Sequence, residues 1–350
     1  MAHMSSASMK AAVTDGKGKL WLEKVPIPKP GAYQCLCAIE ACATCSGTDQ
    51  KHIAGTLSPG LVYPAVLGHE SVGIVTHVGP GVLNLREGDR VLRPCAVYPL
   101  EKLGPWFSAW GGFAEFGLVT DRRALLEDHP EMTPNNYTRF QQTVPHDLKI
   151  SAADATMLVT LKETASTVAS AGVGLFTSAV ILGAGAVGLG MCRFAKLFGA
   201  SPVIVTARRD LPLDHAREIG ADFTVNAVRE DAVARIRALT DGRGVDRLID
   251  TTGQADFLTT MLPILAEGGK VVPYATYAMP NAIAGAFPAE RIISPAPRED
   301  EAHRYLLDAV RLGLVRPSDY YSLRLPLTRI VEAFDLLRRK EAFKVVLEML

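Results

Sequence analysis

The chain has 350 residues, enough for about two domains of ordinary size. Its 37 Lys and Arg residues balance its 37 Asp and Glu residues, which argues against a nucleic-acid-binding protein held mainly by phosphate contacts. With 48% hydrophobic and 21% charged residues the chain can bury large cores, and this composition excludes an intrinsically disordered protein.

Six cysteines are too few for a disulfide-rich scaffold. Four of them, Cys35, Cys37, Cys42 and Cys45, fall within eleven residues, which indicates reduced thiols and makes one or two of them candidates for metal binding. A redox pair of Cys42 and Cys45 is disfavoured because no thioredoxin-like sequence surrounds them.

Neither a secretory signal nor a membrane segment is expected. Residues 1–8 have no apolar signal core, so we interpret them as a remnant of an expression tag, with Met9 as the natural start. The stretch from Thr164 to Cys192 is uncharged and long enough to cross a bilayer, but it holds six glycines and turn signals divide it. We therefore expect a cytoplasmic protein without a membrane partner.

The first part of the chain, from residue 9 to about 120, is typical of β structure. Short apolar runs such as 71–75 and 90–92 alternate with turns rich in Gly and Pro. Near the other end of the chain, a helix over 299–312 and a short strand over 343–347 are predicted.

From residue 151 the pattern changes to strands that alternate with helices. The predicted elements are a helix 151–169, a strand 178–182, a helix 186–199, a strand 202–205, a helix 211–219, a strand 222–225, a helix 230–240, a strand 245–250, a helix 255–266 and a strand 269–272. This alternation predicts an α/β fold with a doubly wound parallel sheet.

A glycine-rich turn follows the first strand of this sheet and opens the next helix, which is the context that gives the motif its meaning. The first glycine would permit a tight turn, the second would let the backbone approach a pyrophosphate, and the third would let helix and strand pack closely. The free N–H groups of the helix would face the phosphates. The predicted cofactor-binding residues are Gly183, Gly185, Ala186, Val187 and Gly188.

The end of the next strand discriminates between the two nicotinamide dinucleotides. An NAD site has an acidic residue there, but this chain reads Thr206, Ala207, Arg208, Arg209, Asp210. Ala207 would not repel a 2′-phosphate, and the two arginines could donate charge-assisted hydrogen bonds to it, so we expect NADP(H). The alternative is that the arginines are merely solvated and that Asp210 contacts the ribose.

A second group of polar residues lies in the first 120 residues. It comprises Cys45-Ser46-Gly47-Thr48-Asp49, then Gly68-His69-Glu70, then Gly88-Asp89-Arg90-Val91. A Cys and a His near turns can be two ligands of an open zinc site, which takes three protein ligands and keeps one exchangeable position.

These motifs, in this order with the later glycine-rich turn, resemble the zinc alcohol dehydrogenase-like branch of the medium-chain dehydrogenase/reductase superfamily, from Met9 to Leu350. The resemblance implies a catalytic domain built on a distorted, GroES-like β-barrel, formed by residues 9–150 and 291–350. A Rossmann domain that binds NADP, residues 151–290, would be inserted into it. It also implies a small-molecule substrate and a homodimer or homotetramer.

The resemblance also assigns roles to individual side chains. Cys45 and His69 become zinc ligands, and Glu70 a residue behind the ligands or an alternative ligand. Thr48 would relay the substrate proton, assisted by His52. One catalytic zinc ion is implied. For His52 the alternative is that it is a plain surface histidine with no role in proton transfer.

Because of three departures from the family pattern, the sequence does not decide whether a catalytic zinc ion is bound. Counting back from Asp49 puts Ser46, not Cys45, at the ligand position. The position of the third ligand is Val159, which cannot bind metal, although Glu163 lies four residues later on the same helix face and could substitute.

The third departure is that the four-cysteine lobe that binds a structural zinc is missing, so no structural zinc is expected. Only one cysteine remains between about residues 92 and 112, and the segment is aromatic instead. Its aromatic side chains could line a pocket or fill core: Tyr98, Trp106, Phe107 and Trp110.

Three functions remain open. The first is a zinc-dependent NADP(H) dehydrogenase of a secondary alcohol, possible substrates being a polyol or a sugar-like compound. The second is a zinc-free NADPH reductase of carbonyl or activated C=C bonds on the same fold. In place of Thr48 and His52, Lys162 and Glu163 could act as acid and base, since they are two charges in an otherwise apolar helix. The third is a catalytically silent NADP-binding protein.

Overall fold

The computed structural model describes residues 7–57, 61–277, 283, 285–296 and 298–349, and these form two compact units. The terminal unit comprises the described residues up to Val159 and from Leu307, and the central unit comprises those from Thr160 to Leu306. The domain limits expected from the sequence, near residues 150 and 290, stay a prediction.

The strands in chain order are β1 (Ser8–Thr14), β2 (Leu20–Pro26), β3 (Gln34–Ala43), β4 (Ala65–Leu67), β5 (Glu70–Val78), β6 (Arg90–Leu92), β7 (Lys102–Leu103), β8 (Trp106–Ala109), β9 (Phe116–Thr120), β10 (Thr143–Val144), β11 (Ala179–Leu182), β12 (Val203–Ala207), β13 (Phe223–Asn226), β14 (Val245–Asp250), β15 (Leu265–Pro273), β16 (Leu323–Pro326) and β17 (Val345–Glu348).

The α-helices in chain order are α1 (Thr48–Ala54), α2 (Arg122–Asp128), α3 (Ala152–Ser170), α4 (Ala186–Leu197), α5 (Asp210–Ile219), α6 (Ala232–Leu239), α7 (Ala255–Thr260), α8 (Glu299–Arg311) and α9 (Ile330–Arg338).

The terminal unit is built on two β-sheets. One has the strand order β2-β1-β4-β8-β7, and the other has the order β10-β6-β5-β3-β17-β16, with β9 also paired to β3. Strand β3 shows the period of two that sheet geometry demands, because Cys35, Cys37, Ile39 and Ala41 are buried and the residues between them are partly exposed. The crowded cysteines are therefore mostly core side chains, and all six cysteines are free thiols.

The central unit holds a five-stranded sheet in the order β13-β12-β11-β14-β15, in which every pair is parallel. Its first strand, β11, is buried along its whole length, as expected for a parallel sheet covered on both faces. Helix α5 turns Leu213, Ala216 and Ile219 inward at helical spacing. The predicted α/β class with a doubly wound parallel sheet is confirmed.

One predicted element was too long. The helix expected over 255–266 ends at Thr260, a short 3-10 turn follows at Leu262–Ile264, and β15 already begins at Leu265. Pro263 explains the early end, because proline has no N–H to continue the helical ladder and its ring clashes with the preceding turn.

In the described part of the chain, none of the helices combines the length and the apolar composition needed to cross a membrane. The uncharged stretch from residue 164 to 192 is divided among α3, β11 and α4.

Candidate active site

Three potential metal ligands meet in the terminal unit: the Cys45 thiol, a His69 ring nitrogen and a Glu70 carboxylate oxygen all lie within 4.8 Å of one another. The pairing of β3 with β5 explains why they meet. Ala43 lies opposite Glu70 in this antiparallel pair, so the chain leaves β3 beside the start of β5. Gly68 then has a φ of +106°, where a Cβ would lie 2.5 Å from the Phe113 nitrogen, so this turn into His69 requires glycine.

The buried carboxylate of Asp49 organises two of these ligands. One oxygen accepts the Cys45 backbone N–H at 2.8 Å, and the other lies 3.2 Å from Nδ1 of His69. The second contact is not aligned as a hydrogen bond, so its attraction is mainly electrostatic. Burial disfavours a charged imidazole, but Asp49 outweighs it and the pKa of His69 lies well above its usual range. With Nδ1 facing Asp49, Nε2 is the His69 nitrogen left for a metal.

Glu70 has a buried cation as its partner. The Lys344 ammonium lies 2.5 Å from Oε2 of Glu70, and both side chains are almost fully buried. Lys344 directly precedes β17, whose residue Val346 pairs with Ala43, so the same sheet brings the lysine to the cluster. Burial disfavours the ammonium, but the neighbouring carboxylate dominates and raises the pKa of Lys344. The ion pair therefore places a buried ammonium beside the Glu70 carboxylate within the cluster.

The structure distinguishes between the two residues that the sequence left open. Cys45 belongs to the cluster, whereas Ser46 is exposed. A thiolate, an imidazole and a carboxylate are ligand types that Zn²⁺ binds, and three protein ligands leave one coordination position for a substrate oxygen. The donor set therefore fits a catalytic zinc ion. Val159, at the position counted for a third ligand, is a fully buried apolar side chain.

The two residues expected to relay a proton differ in their surroundings. Thr48 is half-buried and begins α1, close in sequence to Cys45. His52 is fully buried, and within the described chain neither ring nitrogen has a hydrogen-bond partner. Burial lowers the pKa of His52 to about 4, so its imidazole is neutral at physiological pH. Among the described residues, no hydrogen bond therefore links His52 to Thr48 in the relay expected from the sequence.

Trp110 connects His52 with the metal cluster. Its ring lies 5.0 Å from that of His52, edge to face, and 5.2 Å from that of His69. Its φ of +68° is unusual for a bulky side chain. Of the other aromatic residues in this segment, Tyr98 is buried with its hydroxyl hydrogen-bonded, and Trp106 and Phe107 pack against apolar core. The segment thus fills core, with Trp110 placed beside the cluster.

In the central unit, the glycine-rich turn has the three properties that a dinucleotide site needs. Gly183 has a φ of +104°, which only glycine adopts readily. A Cβ on Gly188 would lie 2.0 Å from the Gly183 carbonyl oxygen, so helix and strand pack too closely there for any side chain. A Cβ on Gly185 would meet nothing within 4 Å, so the turn is open where the pyrophosphate is expected.

Helix α4 begins directly at this turn. Gly185 is its N-cap and provides no side-chain hydrogen bond. The backbone N–H of Leu189 donates to the carbonyl oxygen of Gly185, which is the first hydrogen bond of the helix. The N–H groups of Ala186, Val187 and Gly188 are therefore available at the positive end of the helix dipole. This arrangement fits the phosphates of a dinucleotide.

The residues expected at the adenosine end of a coenzyme lie where β12 ends. Ala207 is half-buried, Arg208 and Arg209 are exposed, and the Thr206 hydroxyl is buried without a hydrogen-bond partner in the described chain. The Asp210 carboxylate already has two partners within the protein. Its two carboxylate oxygens contact the Asn226 amide at 2.8 Å and the Arg229 guanidinium at 2.6 Å. These contacts argue against the alternative in which Asp210 binds the ribose.

Glu163 and Lys162 have separate partners in the central unit. The Tyr274 hydroxyl donates a hydrogen bond of 2.6 Å to Oε1 of Glu163. Lys162, which is fully buried, lies 3.8 Å from Oε2 of Glu299.

The sequence did not reveal Asp49, Lys344 or Tyr274 as members of these sites. Asp49 stands four residues after Cys45, and in the sequence it served only as the point from which the ligand position was counted. Lys344 and Tyr274 are far in sequence from Glu70 and Glu163, so only the sheets bring them together.

Comparisons with known proteins match both units. Residues 31–128 match the alcohol dehydrogenase GroES-like domain, and residues 186–296 match the zinc-binding dehydrogenase model. A sorbitol dehydrogenase from Bombyx mori is 28% identical over 97% of this chain and 98% of its own length. An NAD-dependent alcohol dehydrogenase from Sulfurisphaera tokodaii is 31% identical over 72% of this chain and 74% of its own length.

A solved structure shows the same fold. The alcohol dehydrogenase TADH from Thermus sp. ATN1 is similar with a TM-score of 0.76 and 23% identity, over 97% of this chain and 99% of that one. The predicted combination of a GroES-like domain with a Rossmann-type domain is therefore confirmed.

We predict that His52 makes the protein acid-sensitive. In the unfolded chain this imidazole ionises near its usual pKa of 6.5, whereas in the native state it remains neutral down to about pH 4. Its contribution to stability is complete above pH 6.5 and is lost as the pH falls towards 4, because the unfolded state alone binds the proton. The free energy of unfolding should fall by up to about 1.4 kcal/mol per pH unit in this range.

Urea denaturation between pH 4.5 and 7.5 measures this slope. The His52→Leu variant should show a shallower slope than the parent, and His77→Gln, a change at an exposed histidine, serves as the control. Equal slopes in the parent and in His52→Leu would contradict the prediction.

Proposed function

Because this chain belongs to the zinc-binding, alcohol dehydrogenase-type branch of the medium-chain dehydrogenase/reductase superfamily, a group of nicotinamide-dependent oxidoreductases, we propose that it is an NADP(H)-dependent dehydrogenase of secondary alcohols. Polyols and sugar-like alcohols are included in the proposed substrate class, and the reverse reaction would reduce the ketone. The cluster of Cys45, His69 and Glu70 is the observation that carries this proposal.

In the proposed reaction Cys45, His69 and Glu70 hold a zinc ion, and Asp49 orients His69 from behind. When bound, zinc supplies Lewis-acid polarisation of the substrate oxygen and the nicotinamide accepts or gives the hydride. Thr48 would exchange a proton with the substrate oxygen through its hydroxyl. Trp110 would exclude water on one side of the cluster, since its indole already lies against the His69 ring.

The preference for NADP(H) rests on the end of β12. Ala207 is uncharged, the arginines that follow are exposed, and Asp210 is neutralised by Arg229. A 2′-phosphate would meet positive charge and no free carboxylate in this region. The relatives differ in their coenzyme, since the name of the Sulfurisphaera relative states NAD dependence and that of an isopropanol dehydrogenase from Thermoanaerobacter brockii states NADP dependence.

A second candidate is a zinc-free NADPH reductase of carbonyl or activated C=C bonds. The buried Val159, at the position counted for a third ligand, favours it, since no metal donor stands there. In that case the three donors of the terminal unit would form a purely structural cluster.

Metal content and activity should separate the two candidates. We expect about one zinc ion per chain by mass spectrometry of the metals, together with NADP-dependent oxidation of secondary alcohols or polyols. Cys45→Ala should lose both the zinc and the oxidation, because two remaining donors bind a zinc ion weakly. The matched change Ser46→Ala at the neighbouring exposed residue should lose neither.

A zinc-free reductase would give the opposite pattern. The purified protein would contain no zinc, chelators would leave its turnover unchanged, and ketones or enones would be reduced equally well by the parent and by Cys45→Ala.

For the coenzyme, we predict that Ala207→Asp reverses the preference. The new carboxylate would repel the 2′-phosphate and could accept hydrogen bonds from the ribose hydroxyls of NAD. NADP binding should weaken by about tenfold or more while NAD binding improves. Calorimetric titration with both coenzymes measures this. Arg217→Ala, on the exposed side of α5, is the control and should leave both affinities unchanged. A parent that already prefers NAD would refute the assignment.

A further inference from the structure

The Glu163–Tyr274 pair lies along the edge of the parallel sheet where coenzyme would bind. Tyr274 is the first residue after β15, and its backbone N–H donates to the carbonyl of Asp250, the last residue of β14, at 3.1 Å. Thr251 in turn donates to the carbonyl of Leu182, the last residue of β11, at 3.0 Å. Three strand ends therefore form one row, from the glycine-rich turn to Tyr274.

The strand order shows on which side of that turn the pair lies. In the strand order β13-β12-β11-β14-β15, the chain adds strands on one side of β11 and then on the other, so the switch point lies between β11 and β14. In such sheets a dinucleotide binds across the switch point, at the carboxyl ends of the strands. Ala207 and the arginines lie on the β12 side, which is the adenosine half. Tyr274 is two strands away from β11 in the opposite direction, or roughly 10 Å at ordinary strand spacing. The pair is therefore on the nicotinamide side.

The chemistry of the pair suits one part of the nicotinamide. Its carboxamide carries an NH2 group with two hydrogens to donate, and a carboxylate is a pure acceptor with about four acceptor sites. The Tyr274 hydroxyl uses one of these sites on Glu163, in a short bond to a charged acceptor that restrains the rotamer of the carboxylate. Glu163 is half-buried on α3, so the bond to the carboxamide would form in partial shelter from water.

We propose that the Glu163 carboxylate, oriented by the Tyr274 hydroxyl, accepts a hydrogen bond from the carboxamide NH2 of the coenzyme and thereby fixes the rotation of the nicotinamide ring. This inference rests on the nicotinamide-dependent function proposed above. It makes Glu163 a coenzyme-binding residue and Tyr274 a positioning residue that acts through it. Ring rotation decides which face of the nicotinamide carbon receives hydride, so the pair would serve the reaction without contacting the alcohol.

The test compares two coenzymes that differ only in the proposed donor. In the 3-acetylpyridine analogue a methyl group replaces the NH2, and the carbonyl oxygen remains. Dissociation constants are measured by titration of the whole protein with the natural coenzyme and with its analogue, in the NADP or NAD form that the parent binds more tightly. No turnover is needed for this measurement.

We expect the parent to bind the natural coenzyme about tenfold or more tightly than the analogue, as is usual for a hydrogen bond to a charged group. In Glu163→Ala this preference should fall to about twofold or less, because affinity for the natural coenzyme drops while that for the analogue barely changes. Tyr274→Phe should keep part of the preference, and Glu163→Gln should lie between the parent and Glu163→Ala. Glu267→Ala, at an exposed carboxylate of β15, is the control and should keep the full preference.

The outcomes distinguish this inference from the proposed function. If Glu163→Ala and Glu163→Gln weaken both coenzymes equally while alcohol oxidation by the parent is intact, the pair is only structural and this inference alone is overturned. If the parent binds neither coenzyme, the proposed function fails and this inference fails with it. Urea denaturation midpoints of the variants show that each is folded under the conditions of the titration.

Discussion

The metal-type cluster depends on the register of β3 against β5. Glu40 is an extra residue of β3 at this point, because Ile39 and Ala41 pair with two adjacent residues of β5. A shift of one residue moves every later side chain to the other face of a sheet, so this bulge sets which side chains face each other beyond it. Arg90 holds it in place, since its guanidinium donates to both carboxylate oxygens of Glu40, at 2.7 and 2.8 Å. The arginine of the Gly-Asp-Arg-Val motif thus makes a structural contact with the bulged residue of β3.

The charges of the cluster explain why it suits a divalent cation. The carboxylates of Asp49 and Glu70 are buried, and the ammonium of Lys344 forms an ion pair with Glu70. Buried charges are tolerated when they are paired and hydrogen-bonded, and an unpaired carboxylate would be strongly destabilising. Asp49 is stabilised instead by the Cys45 N–H and by the imidazole of His69. If His69 held the proposed zinc ion, its imidazole would become a better partner for the Asp49 carboxylate behind it.

The sequence predicted what depends on local pattern and missed what depends on long-range pairing. The parallel sheet and its glycine-rich turn follow from alternating apolar runs and from a motif within six residues, and both were found. The choice between Cys45 and Ser46 could not be made by counting, because it depends on how the chain turns after β3. Lys344 reaches Glu70 only through β17, which joins the sheet from the far end of the chain. The relay assigned to His52 overlooked its burial, since periodicity in the seven-residue helix α1 is too short to show which face is covered.

At the end of β12, the residue at position 207 decides how the charged residues that follow it are interpreted. An acid is present in this segment, at Asp210, but it stands three residues after Ala207, the end of β12, where a ribose-binding acid would be expected. There its carboxylate closes the loop after β13 by bonding Asn226 and Arg229, so its charge is neutralised within the fold. Arg208 then lies exposed beside the neutral Ala207 that ends β12. A carboxylate at Ala207 would make the local potential less positive, so under the proposed function the side chain that ends β12 would influence which coenzyme is preferred.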